Sequence, residues 1–216
     1  LNRARSRIKM KEMAPSITHV FFDVGGVLGT NGWDRHERAE AIARFGLDGE
    51  AFERRHEDAT GSFEAGRMTM DEYLDYTVFC DERPFSRDDF KAFMKGCSQP
   101  FPESIQVARD LARARKHVLM TLNNESEELN VHRLRTFGLL PLFTAFFSSC
   151  WVGAVKPEHR IYEAARDLSQ AEPARSVFID DRPQNLTPAA GLGMKTILFK
   201  DAAQLRRDLA ALGVEP

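Results

Sequence analysis

Apolar residues recur along this chain with two different periods, and the points where the period changes divide it. Thr18 to Leu28, THVFFDVGGVL, opens with an apolar run at Val20, Phe21 and Phe22. An unbroken run of β-branched and aromatic residues marks a strand buried on both faces. Gly25 and Gly26 then give the chain a turn where a side chain would clash. From Asp34 to about Ser98 the period is helical. Helices are expected from Asp34 to Phe45, from Gly49 to Ala59 and from Met68 to Cys80, with a fourth starting at Ser86. Thr69 is the expected N-cap of the third. Ser86 and Asp89 resemble a capping box, with Asp in place of the usual Glu or Gln. Phe45, Phe52, Phe63, Phe79, Phe90 and Phe93 are the expected core of this stretch. So long a run of helix between two strands exceeds a simple crossover, so it reads as a helical insert with its own small core.

From Pro102 onward helix and strand alternate. Helices are expected at Glu103 to Arg115, Glu125 to Phe137, Glu158 to Leu168, Gln184 to Leu192 and Ala202 to Leu212. Strands are expected at His117 to Leu122, Ala145 to Ser149, Ser176 to Ile179 and Lys195 to Phe199. Such alternation predicts an α/β fold, a doubly wound parallel sheet with helices on both faces. The chain therefore divides into a tail over residues 1–15, an α/β core over 16–33 and 99–216, and a helical domain over 34–98.

Composition narrows the function. The 216 residues are 43% hydrophobic and 29% charged, with a net charge of −2. That suits a globular protein with one full core. It supplies no basic field for nucleic acid. No apolar run is long enough to span a bilayer. Arg3, Arg5, Arg7, Lys9 and Lys11 make the start basic, without the apolar segment of a signal peptide, and are read as a flexible tail. Cys80, Cys97 and Cys150 have no metal-ligand spacing and read as free thiols in a reducing cytoplasm. Monomer and homodimer both remain open.

Candidate chemistry gathers at strand ends, where open α/β sheets bind ligands. Asp23 closes the first strand; taken alone it could equally cap a loop. Asp180 and Asp181 close the Ser176 strand, with Asn185 four residues on. Two adjacent acids repel unless a cation lies between them and a further carboxylate, and few hard oxygen ligands suit Mg²⁺. Solvated loop acids are the plainer alternative. Lys156 precedes Pro157 at a strand-to-helix junction, where it could neutralise a phosphate or crowded carboxylates. Asn123 and Asn124 end the second strand just before a helix start, a place for an anion as well as for an ordinary turn.

Taken together, these motifs resemble the haloacid dehalogenase-like hydrolase superfamily, mostly Mg²⁺-dependent phosphatases. That family shows an Asp after the first strand, a Ser or Thr after the second, a Lys, and an acidic motif after a later strand. The matching places are Asp23, Leu122 to Asn124, Lys156-Pro157, and Asp180-Asp181 with Asn185. The resemblance covers about Thr18 to Leu212 and implies the strand order 5-4-1-2-3, with the helical insert as a cap. It implies an aspartyl-phosphate mechanism in which Asp23 attacks phosphorus. Asp23, Asp181 and the Gly25 carbonyl would hold Mg²⁺, with Asp180 helping directly or through water. Lys156 and Asn123 would act on the phosphoryl group, with Asn124 and Gly26 beside it. The substrate would be a small phosphorylated metabolite, sugar phosphates being the leading class.

Two positions depart from the family pattern. Most of its phosphatases carry an Asp two residues after the nucleophile as general acid and base, and here that residue is Gly25. Asn123 stands where Ser or Thr is usual; Thr121 is out of register. These departures motivate a second reading, a catalytically weak relative that binds a phosphorylated ligand or a protein partner as a sensor. Dehalogenation is disfavoured, because in this fold it needs no metal and leaves the acidic pair unused. Substrate choice is expected to lie in the insert. Trp33, Asp34, Arg35 and Arg67 are candidates to line the cleft, and a hinge aromatic such as Trp33 can stack on a sugar ring. His36 and His132 read as ordinary surface or packing residues.

Overall fold

The run at Val20 to Phe22 becomes the middle strand of a five-stranded parallel sheet in a computed structural model that describes residues 16–216. The basic tail expected over 1–15 lies outside the described residues. In chain order the elements are β1 (His19–Phe22), α1 (Arg35–Phe45), α2 (Gly49–Glu64), α3 (Met70–Thr77), α4 (Arg87–Gly96) and α5 (Pro102–Ala114). Next come β2 (Val118–Asn123), α6 (Glu127–Thr136), β3 (Ala145–Ser148), α7 (Ser149–Val152) and α8 (His159–Ser169). A 3₁₀ turn at Pro173–Arg175 leads to β4 (Ser176–Asp180), α9 (Pro183–Gly191), β5 (Lys195–Leu198) and α10 (Ala202–Ala211). The strands lie in the order β3-β2-β1-β4-β5, which is the expected order read from the other edge.

Register aligns the carboxyl ends. Phe22 sits opposite Thr121 on β2 and Ile179 on β4, so the residues that follow these strands emerge side by side. Side chains alternate across the sheet. Val20 and Phe22 pack with Leu119, Val177 and Ile179 against Ile105 and Leu111 of α5 and Leu205 and Leu209 of α10. Phe21, Met120 and Phe178 face the other way, onto Ile161 and Tyr162 of α8 and Ala189 of α9. Both faces are thus covered, as a parallel sheet requires.

Helices α1 to α4 form the insert. Phe52, Phe63, Phe90 and Phe93 are in its core, with Phe45 and Phe79 at the partly buried margin. Leu129 of α6 completes that core, so the insert is packed onto the α/β unit rather than hung from it. Full capping boxes start α3 at Thr69 and α4 at Ser86, the latter closed by Asp89. Two differences from the sequence reading affect the site. Helix α2 continues past Ala59 to Glu64, because Phe63 extends the buried stripe of Phe52, His56 and Ala59. Ser149 leaves the β3 strand and begins the short helix α7. Among the described residues no helix is long and apolar enough to cross a membrane.

Candidate active site

The sheet brings four charged side chains together beyond its carboxyl end. Asp23 extends β1 by one ladder bond, its N–H donating to the Ile179 carbonyl at 2.9 Å. Its Oδ1 accepts from the Val24 N–H at 2.7 Å. Lys156 Nζ reaches both Asp23 Oδ2 (2.9 Å) and Asp180 Oδ2 (2.7 Å). Asn124 fixes the lysine's backbone twice: its Oδ1 accepts from the Lys156 N–H at 2.7 Å and its Nδ2 donates to the Lys156 carbonyl at 3.0 Å.

The two adjacent acids differ. Asp180 is fully buried, and its oxygens accept from Lys156, from Asn185 Nδ2 and from the Arg182 N–H. Asp181 keeps a buried Oδ1 with no hydrogen-bond partner among the described residues. Asp23, Asp180 and Asp181 each offer an oxygen within 4.8 Å of the others. Three carboxylates against one ammonium leave an excess of two negative charges, which one divalent cation offsets. The orphaned Asp181 oxygen and this all-oxygen donor set fit a hard cation such as Mg²⁺. Gly26 makes the close approach possible: its φ is +74°, and a Cβ there would lie 2.2 Å from Asp181 Oδ2.

Electrostatics follow from burial and crowding. Burial pushes the Asp23 carboxyl up; Lys156 opposes this, and Asp180 and Asp181 add to it. Burial likewise raises Asp181, reinforced by Asp180. Burial works to lower Lys156, but Asp23 and Asp180 outweigh it, and the ammonium is held above its ordinary range. The lysine stays charged and the carboxylates stay short of positive partners.

Above this cluster lies a cavity of about 420 Å³, between the sheet end and the insert. Asp23, Gly25, Lys156 and Asn185 form its floor, and Trp33, His56, Thr60, Phe63 and Glu64 reach it from the hinge and insert. Arg133 of α6 also lines it. This side chain is almost wholly buried, ion-paired to Glu125 Oε2 at 3.2 Å, and donates to Ser98 Oγ and the Asn31 carbonyl. Asp34 lines the cavity rim, paired with Arg182 at 2.6 Å.

Several expected residues are placed differently. Asn123 does not line the cavity: its Nδ2 donates to Asn130 Oδ1 and its Oδ1 accepts from Ser148 Oγ, both within a buried polar network. Gly26 is spent on the approach to Asp181 and does not line the cavity. Arg35 is exposed away from it, and Arg67 donates to the Gly61 carbonyl instead. Trp33 does line it, yet its Nε1 donates to the Tyr73 hydroxyl and its ring packs edge-on with Phe52, Phe90 and Phe93. It is a wall held in place rather than a free stacking plate. Glu64, His56, Glu125 and Arg133 were not singled out by the sequence reading. Each depends on contacts between segments far apart in the chain.

Comparison with known proteins adds the lineage. The family model described as haloacid dehalogenase-like hydrolase matches residues 17–193. Bifunctional epoxide hydrolase 2 of Sus scrofa is 28% identical, over 87% of this chain but only 37% of that protein. The chain thus spans little more than a third of the length of that relative. Phosphatase MT3486 of Mycobacterium tuberculosis is 29% identical, over 92% of this chain and 96% of its own length. Among solved structures, the HAD family enzyme bt-2542 of Bacteroides thetaiotaomicron superposes with a TM-score of 0.75 at 23% identity, covering 86% of this chain and 95% of that one. The same enzyme is described in a complex with magnesium and inorganic phosphate.

Proposed function

The chain belongs to the haloacid dehalogenase-like hydrolase family, and on that premise we propose that it is an Mg²⁺-dependent phosphatase of small phosphorylated metabolites. The observation that carries the reading is the Lys156 ammonium between Asp23 and Asp180, beside an Asp181 oxygen with no hydrogen-bond partner among the described residues. A dehalogenase would gain nothing from this third carboxylate.

In this reading Asp23 Oδ attacks phosphorus, giving an aspartyl phosphate and the free alcohol; water then hydrolyses the acyl phosphate. Lys156 offsets charge on the phosphoryl oxygens as it moves from ground state to transition state. Asp180 positions Lys156, and Asn124 positions it from the backbone side. Asp23, Asp181 and the Gly25 carbonyl would hold Mg²⁺, whose charge neutralises the carboxylate cluster and the incoming phosphate. The helical insert closes the cavity as a cap and sets substrate choice. The cavity's mixed wall of Trp33, Phe63, Thr60, His56 and charged groups favours a small polar substrate, sugar phosphates leading.

The test is release of phosphate from 2,4-dinitrophenyl phosphate and from a panel of phosphorylated metabolites, with and without Mg²⁺. Activity that depends on Mg²⁺ and is abolished by Asp23→Asn is expected. A second reading is favoured by Asn123, which is turned into the core and leaves the phosphate one side-chain donor fewer. That reading is a protein that binds a phosphorylated ligand without turning it over. Saturable binding of a phosphorylated metabolite with no phosphate release would support it over the first.

A further inference from the structure

Gly25 leaves the nucleophile loop without a carboxyl to protonate the leaving oxygen. The cavity wall carries other acids. Asp34 is paired to Arg182 and Glu125 is paired to Arg133. The His56 ring is tied through Nδ1 to the Tyr73 hydroxyl at 2.8 Å, and burial, then Arg38, push it down to about 4, so it is neutral. Glu64 is different: it lines the same cavity as Asp23, Gly25 and Lys156 and its carboxyl forms no ion pair among the described residues.

Its position is also fixed. Glu64 ends α2, and its carbonyl accepts from Ser149 Oγ of α7 at 2.6 Å. Two residues on, Gly66 has φ +69°, and a Cβ there would lie 2.1 Å from the Cys150 carbonyl oxygen. Backbone of the insert therefore rests directly on backbone of the α/β core at this point. Glu64, two residues before that contact, is thereby anchored where it lines the cavity.

We propose that Glu64 donates the proton to the leaving oxygen and later accepts one from water, a role that rests on the phosphatase reading above. In the first step an Asp23 oxygen bonds to phosphorus as the bond to the leaving oxygen breaks. That oxygen keeps the electron pair and takes the Glu64 proton, leaving as the alcohol. In the second step the Glu64 carboxylate removes a proton from water as the water oxygen bonds to phosphorus. The phosphorus bond to Asp23 breaks, its pair returns to the carboxylate, and phosphate leaves with Glu64 protonated again. The charges facing Glu64 suit this cycle. Burial first, then the Glu125 charge, push its carboxyl up to about 7, with Asp34 adding and Arg182 and Lys156 opposing. Near neutral pH both forms of the acid are populated, as proton shuttling requires.

The test uses the full chain with Mg²⁺ and two substrates, 2,4-dinitrophenyl phosphate and a hexose 6-phosphate. In Glu64→Gln, phosphorylation of the protein by the hexose ester falls by about 10²–10⁴-fold. The dinitrophenolate burst, whose leaving group needs no proton, stays within tenfold of the parent and is followed by slowed turnover. The parent's kcat/KM on the hexose ester declines above about pH 7, and that limb disappears in Glu64→Gln. Equal slowing of burst and ester, or no effect on either, overturns the role while leaving the phosphatase reading intact. Should Glu64→Gln not fold, Glu64→Asp decides: a limb that persists with a moved midpoint supports the proposal, and an unmoved limb overturns it. A parent that releases no phosphate from either substrate with Mg²⁺ sinks the phosphatase reading itself, and the role with it.

Discussion

The Arg133 guanidinium stands where a side chain on Gly25 would point: a Cβ built at Gly25 lies 3.4 Å from Arg133 Nη1 and 3.1 Å from Asn31 Oδ1. Gly25 does not have a left-handed φ, and both neighbours are side-chain atoms, so the loop accepts an Asp there. Its carboxyl, though, meets a buried cation. An opposite charge at that range holds a carboxyl ionised. Gly25→Asp is therefore expected to leave the dependence of rate on leaving-group pKa unchanged from that of the parent. Esters with graded leaving groups, run on both proteins, measure the two slopes. A clearly shallower slope in the variant means the new carboxyl is protonated despite Arg133.

Lys156 is the hinge of the charge balance. Removing it as Lys156→Met leaves Asp23 and Asp180 buried, crowded and without their shared cation. Breaking a buried pair by deleting one partner costs about 3–5 kcal/mol. Urea unfolding should show a loss of that order, and phosphate release should drop by at least about 10²-fold. A variant that unfolds at the parent's midpoint would mean that the carboxylates are already neutral in the folded protein.

Divalent cation should stabilise the fold. Three carboxylates converge with one ammonium, and the cluster repels itself without a further positive charge. A ligand at 100 times its Kd contributes about 2.7 kcal/mol, which for a chain of this length is about 5–10 °C in Tm. Thermal unfolding with Mg²⁺ and with excess chelator gives the difference. Asp181→Asn should remove most of it, since Asp181 Oδ1 has no hydrogen-bond partner among the described residues. An unchanged response in Asp181→Asn would move the cation elsewhere.

The floor of the site is legible in the sequence, and of its walls only the hinge residues Trp33 and Asp34 are. Asp23, Lys156, Asp180 and Asp181 each sit at or just beyond a strand end or a strand-to-helix junction. A parallel sheet brings such ends together by its topology, so a linear pattern is enough to collect them. Arg133 gave no such signal. It lies on a helix among Glu, His and Arg residues that read as solvated, and its partner Glu125 precedes the helix altogether. Glu64 was hidden twice. Gly61 and Ser62 look like a helix stop, and its place over the cavity depends on Ser149, 85 residues away. Asn123 was over-read for the converse reason. A strand-end amide looks available, and only the tertiary structure reveals Asn130 and Ser148 waiting for it.

Glu64 also makes a prediction about stability that needs no substrate. Its carboxyl is raised from 4.5 to about 7 on folding, chiefly by burial and then by Glu125. Between those values the folded protein binds more protons at Glu64 than the unfolded chain does. Stability then falls as pH rises through this window and levels off above about pH 7. The loss is on the order of 3–4 kcal/mol, since one pKa unit corresponds to about 1.4 kcal/mol. Gln carries the same shape and no charge, so Glu64→Gln should match the parent near pH 4.5 and exceed it by that amount at pH 8. The titrations of Asp23, Asp181 and Glu125 are common to both proteins and largely cancel in the difference. Lys156, held above its ordinary range, remains charged throughout the window. Urea unfolding of parent and variant at pH 5 and pH 8 gives the four free energies required. A gap between the two proteins that is the same at both pH values would mean that Glu64 ionises in the folded state as freely as in water, and it would then be too acidic to hold a proton at neutral pH.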